Sequence, residues 1–374
     1  MNKGPLRVLV VGQTPPPFGG QAVMVQALLD ARPRQCVYHH VRLRYSDDME
    51  SVGKFALRKV LVLFTTIVEV WIARFRHGTP MLYYPPSGPN MVPVLRDVVF
   101  LCAVRPFFRW TVFHFHAGGV SEFEGRLPAV LRPFFRLAYR KADLAIRTAA
   151  QNPDDGQALG AARGVVVPNG MRDMRGTVQE KVPTGNGPLV ILFTGVLIPS
   201  KGVRVLLEAF RQLEASCPEV RLELMGRWGD EGFRQECAAF LQRHELREKV
   251  SELGVLQDQA KWGRFAGCDI FCFPSHFEAE SFGLVLVEAM QFGKPLVATR
   301  WRGLPSVVQD GVNGYLVPVE DPAAVAARLL ELINDPELRA RMGAEGRRIF
   351  VERFTLERFH RDMEEAFLMA ATES

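Results

Sequence analysis

Short apolar runs alternate with longer stretches in which apolar residues recur every three or four positions. This alternation predicts the strand–helix repeats of a parallel α/β protein. In the first half, the runs at 6–11, 81–84, 111–115, 144–146 and 165–167 predict strands, and a helix over 21–29 follows the loop GQTPPPFGG. In the second half, strands are expected at 189–194, 222–225, 269–273 and 296–299, with helices over 203–213 and 283–292. Between the halves, 176–188 (GTVQEKVPTGNGP) is polar and rich in Gly and Pro, the composition of a linker. Two strand–loop–helix starts on either side of a linker predict two Rossmann-like domains, 1–175 and 189–350, facing across an interdomain cleft. A C-terminal helix over 351–374 is free to return to the first domain.

One apolar run is of a different kind. The segment 60–72 (VLVLFTTIVEVWI) is too short to span a bilayer, Glu69 interrupts it, and Arg58, Lys59, Arg74 and Arg76 flank it. A buried or interfacial helix is expected there. At 374 residues with 48% hydrophobic content, the chain is long enough for two cores. The N-terminus MNKGPLRVLVVGQ runs straight into a strand rather than a secretory pattern, and the six cysteines lack metal-ligand spacing. Cys268 and Cys272 belong to an apolar strand, and a reducing cytosol is the expected location.

The formal net charge of +5 hides an asymmetry. Residues 1–185 hold 24 Lys and Arg against 13 Asp and Glu, a net of +11, whereas the remainder holds 22 against 28, a net of −6. The basic half also carries the aromatic-basic runs Arg105-Pro-Phe-Phe-Arg-Trp110 and Arg132-Pro-Phe-Phe-Arg136. No nucleic-acid motif accompanies them, so the fitting partners are an anionic acceptor or a peripheral contact with an anionic membrane surface on its cytoplasmic face.

The candidate chemistry is densest between Pro274 and Pro295, PSHFEAESFGLVLVEAMQFGKP. Glu280 is expected in the loop after the strand ending at Phe273, and Glu288 about one and a half turns into the following helix. Backbone N–H groups at Ser281, Phe282, Gly283 and Leu284 open that helix beside the first carboxylate. A helix N-terminus favours anions, and two carboxylates accept from hydroxyls, so a phosphorylated sugar suits both. Lys201-Gly202 sits in the loop after 189–194, where a lysine suits a diphosphate leaving group. Gly19 and Gly20 follow the first strand and let a phosphate approach the backbone. They do not form the G-x-G-x-x-G fingerprint of dinucleotide enzymes. His114 and His116 alternate in VFHFHAGG and are expected on opposite faces of a strand end, which leaves no shared metal site.

The segment 274–295 resembles the donor-binding signature of retaining glycosyltransferases of the GT-B fold, family 4 (glycosyl transferases group 1). Glu280, Phe282, Gly283, Glu288, Ala289 and Met290 match its E-x-F-G-x-x-x-x-E-A-M pattern position by position. The resemblance continues through Val167-Pro-Asn-Gly170, Thr194-Gly-Val-Leu-Ile-Pro-Ser-Lys-Gly202 and Asp310-Gly-Val-Asn-Gly314. It implies transfer of a hexose-type sugar from a nucleotide-diphosphate donor to a lipid-linked or growing surface glycan, as in polysaccharide biosynthesis. No cofactor or metal in the protein is implied.

By the same resemblance, His116, Lys201 and Glu280 would be catalytic. Gly19, Gly20, Asn169, Leu256, Ser281, Phe282, Gly283, Leu284 and Glu288 would bind donor. A plain turn explains Asn169-Gly170 equally well. In G-R-L-x-x-x-K-G, Lys201 matches the lysine, but Val196 stands where the family's arginine belongs. Arg227, ending the 222–225 strand, is the candidate substitute. Two rivals remain open, a nucleotide-sugar 2-epimerase of the same architecture and a donor-binding protein with little turnover.

Overall fold

The computed structural model describes residues 4–16, 19–44, 57–178 and 187–372. Packing divides the chain into two compact units. Unit 1 is Met1–Met171 with Leu356–Ser374, and unit 2 is Arg172–Thr355. Of the expected linker at 176–188, residues 179–186 lie outside the described residues.

Unit 1 runs β1 (Leu6–Gly12), α1 (Gly20–Leu29), β2 (Cys36–Arg42), α2 (Leu57–His77), β3 (Met81–Tyr84), α3 (Met91–Val104), β4 (Trp110–Phe115), α4 (Arg132–Tyr139), β5 (Leu144–Arg147), α5 (Asp155–Ala158) and β6 (Gly164–Val166). The strands form one parallel sheet in the order β2-β1-β3-β4-β5-β6. Inner strands such as β3 (MLYY) are buried throughout, as expected of a sheet covered by helices on both faces. Leu9, Val11, Leu82 and Tyr84 face the core shared with α2, α3 and α4. On the other face, Tyr83 and Tyr38 meet Phe367 edge-on, with ring centroids 5.6 and 5.7 Å away. Phe367 belongs to the last helix (Leu356–Ala371), which is also fixed to unit 1 by Glu364, accepting from the backbone of Gln35 and Cys36 at 2.5 and 3.1 Å.

Unit 2 runs β7 (Val190–Thr194), α6 (Val203–Glu214), β8 (Arg221–Met225), α7 (Glu231–Arg243), β9 (Val250–Gly254), α8 (Asp258–Gly267), β10 (Ile270–Phe273), α9 (Leu284–Gln291), β11 (Leu296–Thr299), β12 (Gly314–Val317), α10 (Pro322–Asn334) and α11 (Pro336–Arg353). The last helix of the chain is therefore α12. The sheet is again parallel, ordered β12-β11-β10-β7-β8-β9. From β7 the chain builds outward through β8 and β9, then returns to β10 and builds the other way. Such a reversal opens a crevice at the strand carboxyl ends, here between β7 and β10. In unit 1 the reversal falls between β1 and β3.

The strands anticipated from apolar runs are present within a residue or so of their expected limits. Those not anticipated, β2, β9 and β12, are all sheet edges. An edge strand has fewer covered positions, so its sequence need not be uniformly apolar. In β2 (CVYHHVR) only Cys36 and Val41 are buried.

Candidate functional site

The switch point of unit 2 brings together two loops that are far apart in sequence. After β7, residues 195–202 turn through a short 3-10 segment, Pro199–Lys201, into α6. After β10, residues 274–283 lead into α9. Gly202 joins them: its φ is +79°, and a Cβ there would lie 2.0 Å from the carbonyl oxygen of Pro274. A side chain at 202 would thus be strained and would also force the loops apart. The backbone of His276 donates to Ser200 O at 2.8 Å, holding the same junction.

Across this junction Lys201 Nζ meets Glu280 Oε2 at 2.5 Å, and Ser275 Oγ donates to the same oxygen at 3.1 Å. Glu280 is 9% exposed. The ammonium also lies over the Phe277 ring, 4.5 Å from its centroid. Trp301 Nε1 holds Phe277 O at 2.8 Å, and Thr299 Oγ1 donates to Ser275 O, so β11 supports the β10 loop. A charged pair this sheltered is costly to break from one side, because the remaining charge is left dehydrated.

Glu288, within α9, is held by a residue that no sequence motif marked. Lys261 on α8 reaches Glu288 Oε1 at 2.5 Å and lies over the Trp262 ring at 4.6 Å. Among the described residues, Glu288 Oε2 is buried with no protein partner, as is Thr194 Oγ1 at the end of β7. Buried acceptors are ordinarily satisfied, so these oxygens are places where a ligand hydroxyl or a water belongs.

The other expected donor residues of unit 2 divide by structure. Phe282 is 2% exposed and packs edge-on against Phe354, so its backbone is what it can offer a ligand. Gly283 takes a φ of +74° as the residue before α9, and a Cβ would lie 2.6 Å from Leu304 Cδ2. Ser281 and Leu284 are half-buried on either side of it. Arg227 follows β8, and its carbonyl accepts from Leu197 N at 2.8 Å, so its loop runs beside that of Val196. No ion pair or hydrogen bond engages the Arg227 guanidinium among the described residues. Leu256 lies beyond the edge strand β9, half-buried and on the far side of β8 from the Lys201–Glu280 pair.

In unit 1 the structure corrects one expectation. His114 and His116 are not on opposite faces: their ring centroids are 4.0 Å apart. Side chains two apart on a strand share a face, and His116 immediately follows β4 in that register. His114 Nδ1 contacts Tyr83 Oη at 2.9 Å. Burial lowers the His116 pKa to about 3 and that of His114 well below its ordinary value, so both rings are neutral near pH 7. Among the described residues, no group of three or more His, Cys, Asp or Glu is arranged to hold a metal ion.

The turn after His116 is anchored by Asp155, which the sequence did not single out. Its carboxylate accepts from Gly119 N at 2.9 Å, Ser121 N at 2.7 Å and Ser121 Oγ at 2.6 Å. Burial raises its pKa, opposed by those hydrogen bonds. Gly19 precedes α1 with a φ of −106°, and a Cβ there meets no described atom within 4 Å. Among the described residues, neither packing nor dihedral requires glycine at 19. Gly20 is exposed as the first residue of α1. Asn169, after β6, is 3% exposed, and its buried Oδ1 has no partner among the described residues.

The aromatic-basic runs are also partly corrected. Phe108 and Phe135 are buried, and the Arg105 guanidinium donates to backbone carbonyls of Ala138 and Arg140 at 2.6 and 3.0 Å. These groups build the core and its rim. Phe107 and Phe134 remain exposed. No helix among the described residues is long and apolar enough to cross a membrane.

Two parallel sheets with their ligand-ready loops at the strand carboxyl ends define the class, a GT-B fold. Solved structures agree: Anabaena HepE in complex with UDP superposes with a TM-score of 0.74 over 97% of this chain and 100% of that one, at 22% identity. Sucrose-phosphate synthase from Thermosynechococcus elongatus gives 0.74 over 98% and 100%, at 18% identity. The sequence comparison is more particular: residues 175–349 match the family described as Glycosyl transferases group 1. A phosphatidyl-myo-inositol mannosyltransferase from Mycolicibacterium smegmatis is 34% identical over 227 residues, 59% of this chain and 54% of that protein. A D-inositol 3-phosphate glycosyltransferase from Streptomyces scabiei is 35% identical over 182 residues, 46% of this chain and 40% of that protein. The chain thus spans about half the length, or less, of the curated relatives it matches.

Proposed function

We propose that this chain is a glycosyltransferase that moves a hexose-type sugar from a nucleotide-diphosphate donor to a lipid-linked or growing surface glycan, with retention of anomeric configuration. The observation that carries this reading is the Lys201–Glu280 pair at the β7/β10 switch point. It sets a cation and a carboxylate side by side where ligands bind in open parallel sheets. When the sugar–diphosphate bond breaks, negative charge grows on the leaving oxygen, and a fixed ammonium stabilises that charge more than the ground state. The N–H groups of Ser281 to Leu284 serve the same anion, while Glu280 accepts from the sugar hydroxyls and orients the ring. Glu288 Oε2 accepts a second donor hydroxyl, and Arg227 supplies the cation that Val196 lacks.

From unit 1, Gly19 and Gly20 admit the diphosphate, Asn169 contacts the donor, and the neutral His116 hydrogen-bonds to the transferring sugar. Leu256 lies with backbone groups that read the nucleobase. The protein itself contributes no metal ion or cofactor to this mechanism. The basic first unit would hold an anionic acceptor at the cytoplasmic face of a membrane. Relatives named for phosphatidyl-myo-inositol and for inositol 3-phosphate make inositol-bearing anions the first acceptors to try. The neighbour solved with UDP makes uridine nucleotides the first donors.

The test is a thermal-shift screen of nucleotide sugars followed by transfer assays. A donor at a hundred times its Kd stabilises by about 2.7 kcal/mol, and Glu288→Gln should abolish most of that shift. If no nucleotide sugar raises Tm, the reading fails. Val196 favours one second reading, a donor-binding protein with little turnover, marked by a thermal shift without transfer or hydrolysis. Conversion of donor sugar without acceptor would instead identify an epimerase.

A further inference from the structure

The amphipathic pattern of α2 is doubled. Its inner face buries Leu63, Ile67 and Val70 against the sheet. Its outer face is apolar as well: Leu61, Phe64, Val68, Ile72 and Phe75 are 69, 58, 48, 58 and 66% exposed. Spacings of three and four place all five on one stripe, roughly 21 Å long at 1.5 Å per residue. Phe107 extends the patch, with its ring 5.5 Å from Trp71 and 6.2 Å from Phe75. Single exposed apolar residues are ordinary, but a continuous stripe of this kind marks an interaction surface.

We infer that the outer face of α2 docks on an anionic lipid bilayer, lying in its interface. This deepens the membrane part of the proposed function and rests on it, but it is independent of which sugar is transferred. Charge selects the occupant. Basic residues stand at both ends of the helix sequence, Arg58 and Lys59 at the start, Arg74 and Arg76 at the end. Arg74 Nε donates to Phe107 O at 2.8 Å, which fixes that guanidinium at the margin of the patch.

Between 57 and 141 there are 12 Lys and Arg against four Asp and Glu. Of those four, Asp97 is buried and Glu124 is paired with Arg136. An apolar stripe with basic ends is the pattern of a helix that inserts among acyl chains while its cations meet anionic headgroups. A second copy of the chain fits less well. Either orientation of two such helices, parallel or antiparallel, sets basic ends on basic ends.

The experiment is flotation of the full chain with vesicles of phosphatidylcholine alone or mixed with phosphatidylglycerol, at low and high salt. Wild type should float with the mixed vesicles at low salt only. The double variant Phe64→Ser, Ile72→Ser should lose binding by on the order of tenfold or more, given the apolar groups withdrawn from the acyl region. Met369→Ser, on α12 against the opposite face of the sheet and 41% exposed, is the control and should float like wild type.

A measurement needing no variant accompanies this. Amide exchange over 61–75 should slow in the presence of mixed vesicles while exchange in α12 does not. Undiminished flotation of the α2 variant, or no protection over 61–75, overturns the assignment to α2 while membrane association stands. Failure of wild type to float with either vesicle overturns both. Equal flotation on phosphatidylcholine alone removes the anionic selectivity. A wild-type dimer that the α2 variant converts to monomer in sedimentation velocity would assign the stripe to a second copy instead.

Discussion

The two units solve a similar problem with different materials. Unit 2 meets its candidate ligand with side-chain charges already engaged in pairs, Lys201 with Glu280 and Lys261 with Glu288. Unit 1 offers neutral or backbone groups at its loops, the buried His116, Asn169 and the Gly19 turn, and keeps its excess of cations elsewhere on its surface. A site built from paired charges is rigid before the ligand arrives and leaves a residue signature. A site built from neutral groups tolerates different partners and leaves little signature. The comparison therefore predicts that substitutions in unit 2 act on chemistry and stability together, whereas those in unit 1 separate the two.

The largest effect is expected at the Lys201–Glu280 pair. Lys201→Met should lower kcat by about 10²- to 10³-fold, the scale of removing one preorganised donor to a growing anion. It should also destabilise the fold by about 2 kcal/mol, below the 3–5 of a fully buried pair because a fraction of each side chain is exposed. Glu280→Gln should be nearly as inactive. In the double variant stability should largely return, since neither charge is stranded, while activity should not. Additive stability losses, measured by urea titration, would show the pair to be uncoupled.

Next is the acid response of unit 1. The folded pKa of His116 is about 3, below its unfolded value near 6.5. Its neutral form therefore contributes stability above pH 6.5, and that contribution is lost as pH falls through 6.5 toward 3. Over that window the unfolded chain binds a proton that the native chain does not, a slope of about 1.4 kcal/mol per pH unit. His114 adds in the same direction. His116→Gln should flatten the slope by about one proton, read from urea midpoints between pH 4 and pH 6. An unchanged slope would mean that His116 is protonated in the native state, and the neutral role proposed for it would go.

What was legible beforehand follows the same division. The carboxylates eight apart and Lys201 were readable because their chemistry lies in particular side chains at fixed spacing. Lys261 was not, because its role depends on α8 packing beside α9, a relation between elements 27 residues apart in sequence. Asp155 escaped for the same reason, since it is 36 residues from the turn it holds. The buried strands were readable as apolar runs, while the edge strands β2, β9 and β12 were not. The histidine pair was misassigned by a lapse in the period of two, and the observed 4.0 Å ring contact restores it. Phe108 and Phe135 show the limit of composition: aromatics beside arginines in sequence proved to be core.

A smaller effect tests Lys261. Lys261→Met should raise the donor KM by about tenfold while kcat changes little, because Glu288 would keep its charge but lose the partner that fixes its orientation. Lys261→Arg should recover most of the affinity. A purely structural lysine would instead show its loss in Tm, with KM unmoved once the protein is folded.

The smallest effect is expected at Val196, where the chain departs from the pattern it otherwise resembles. Val196 Cγ1 lies 3.4 Å from where a Cβ on Gly229 would stand, and the loops at 195–198 and 226–229 are bound together through Leu197. A cation restored at 196 would duplicate the role proposed for Arg227. Val196→Arg alone should therefore change kcat by less than about threefold, although adding an unmatched charge donor elsewhere in such a site is worth far more. Arg227→Ala in the wild type should cost about tenfold or more, and in the Val196→Arg background its cost should shrink. That non-additivity is the signature of two groups serving one anion. If Arg227→Ala costs the same in both backgrounds, Arg227 does not substitute for the missing arginine. A large gain from Val196→Arg alone would show instead that the departure at 196 had never been compensated.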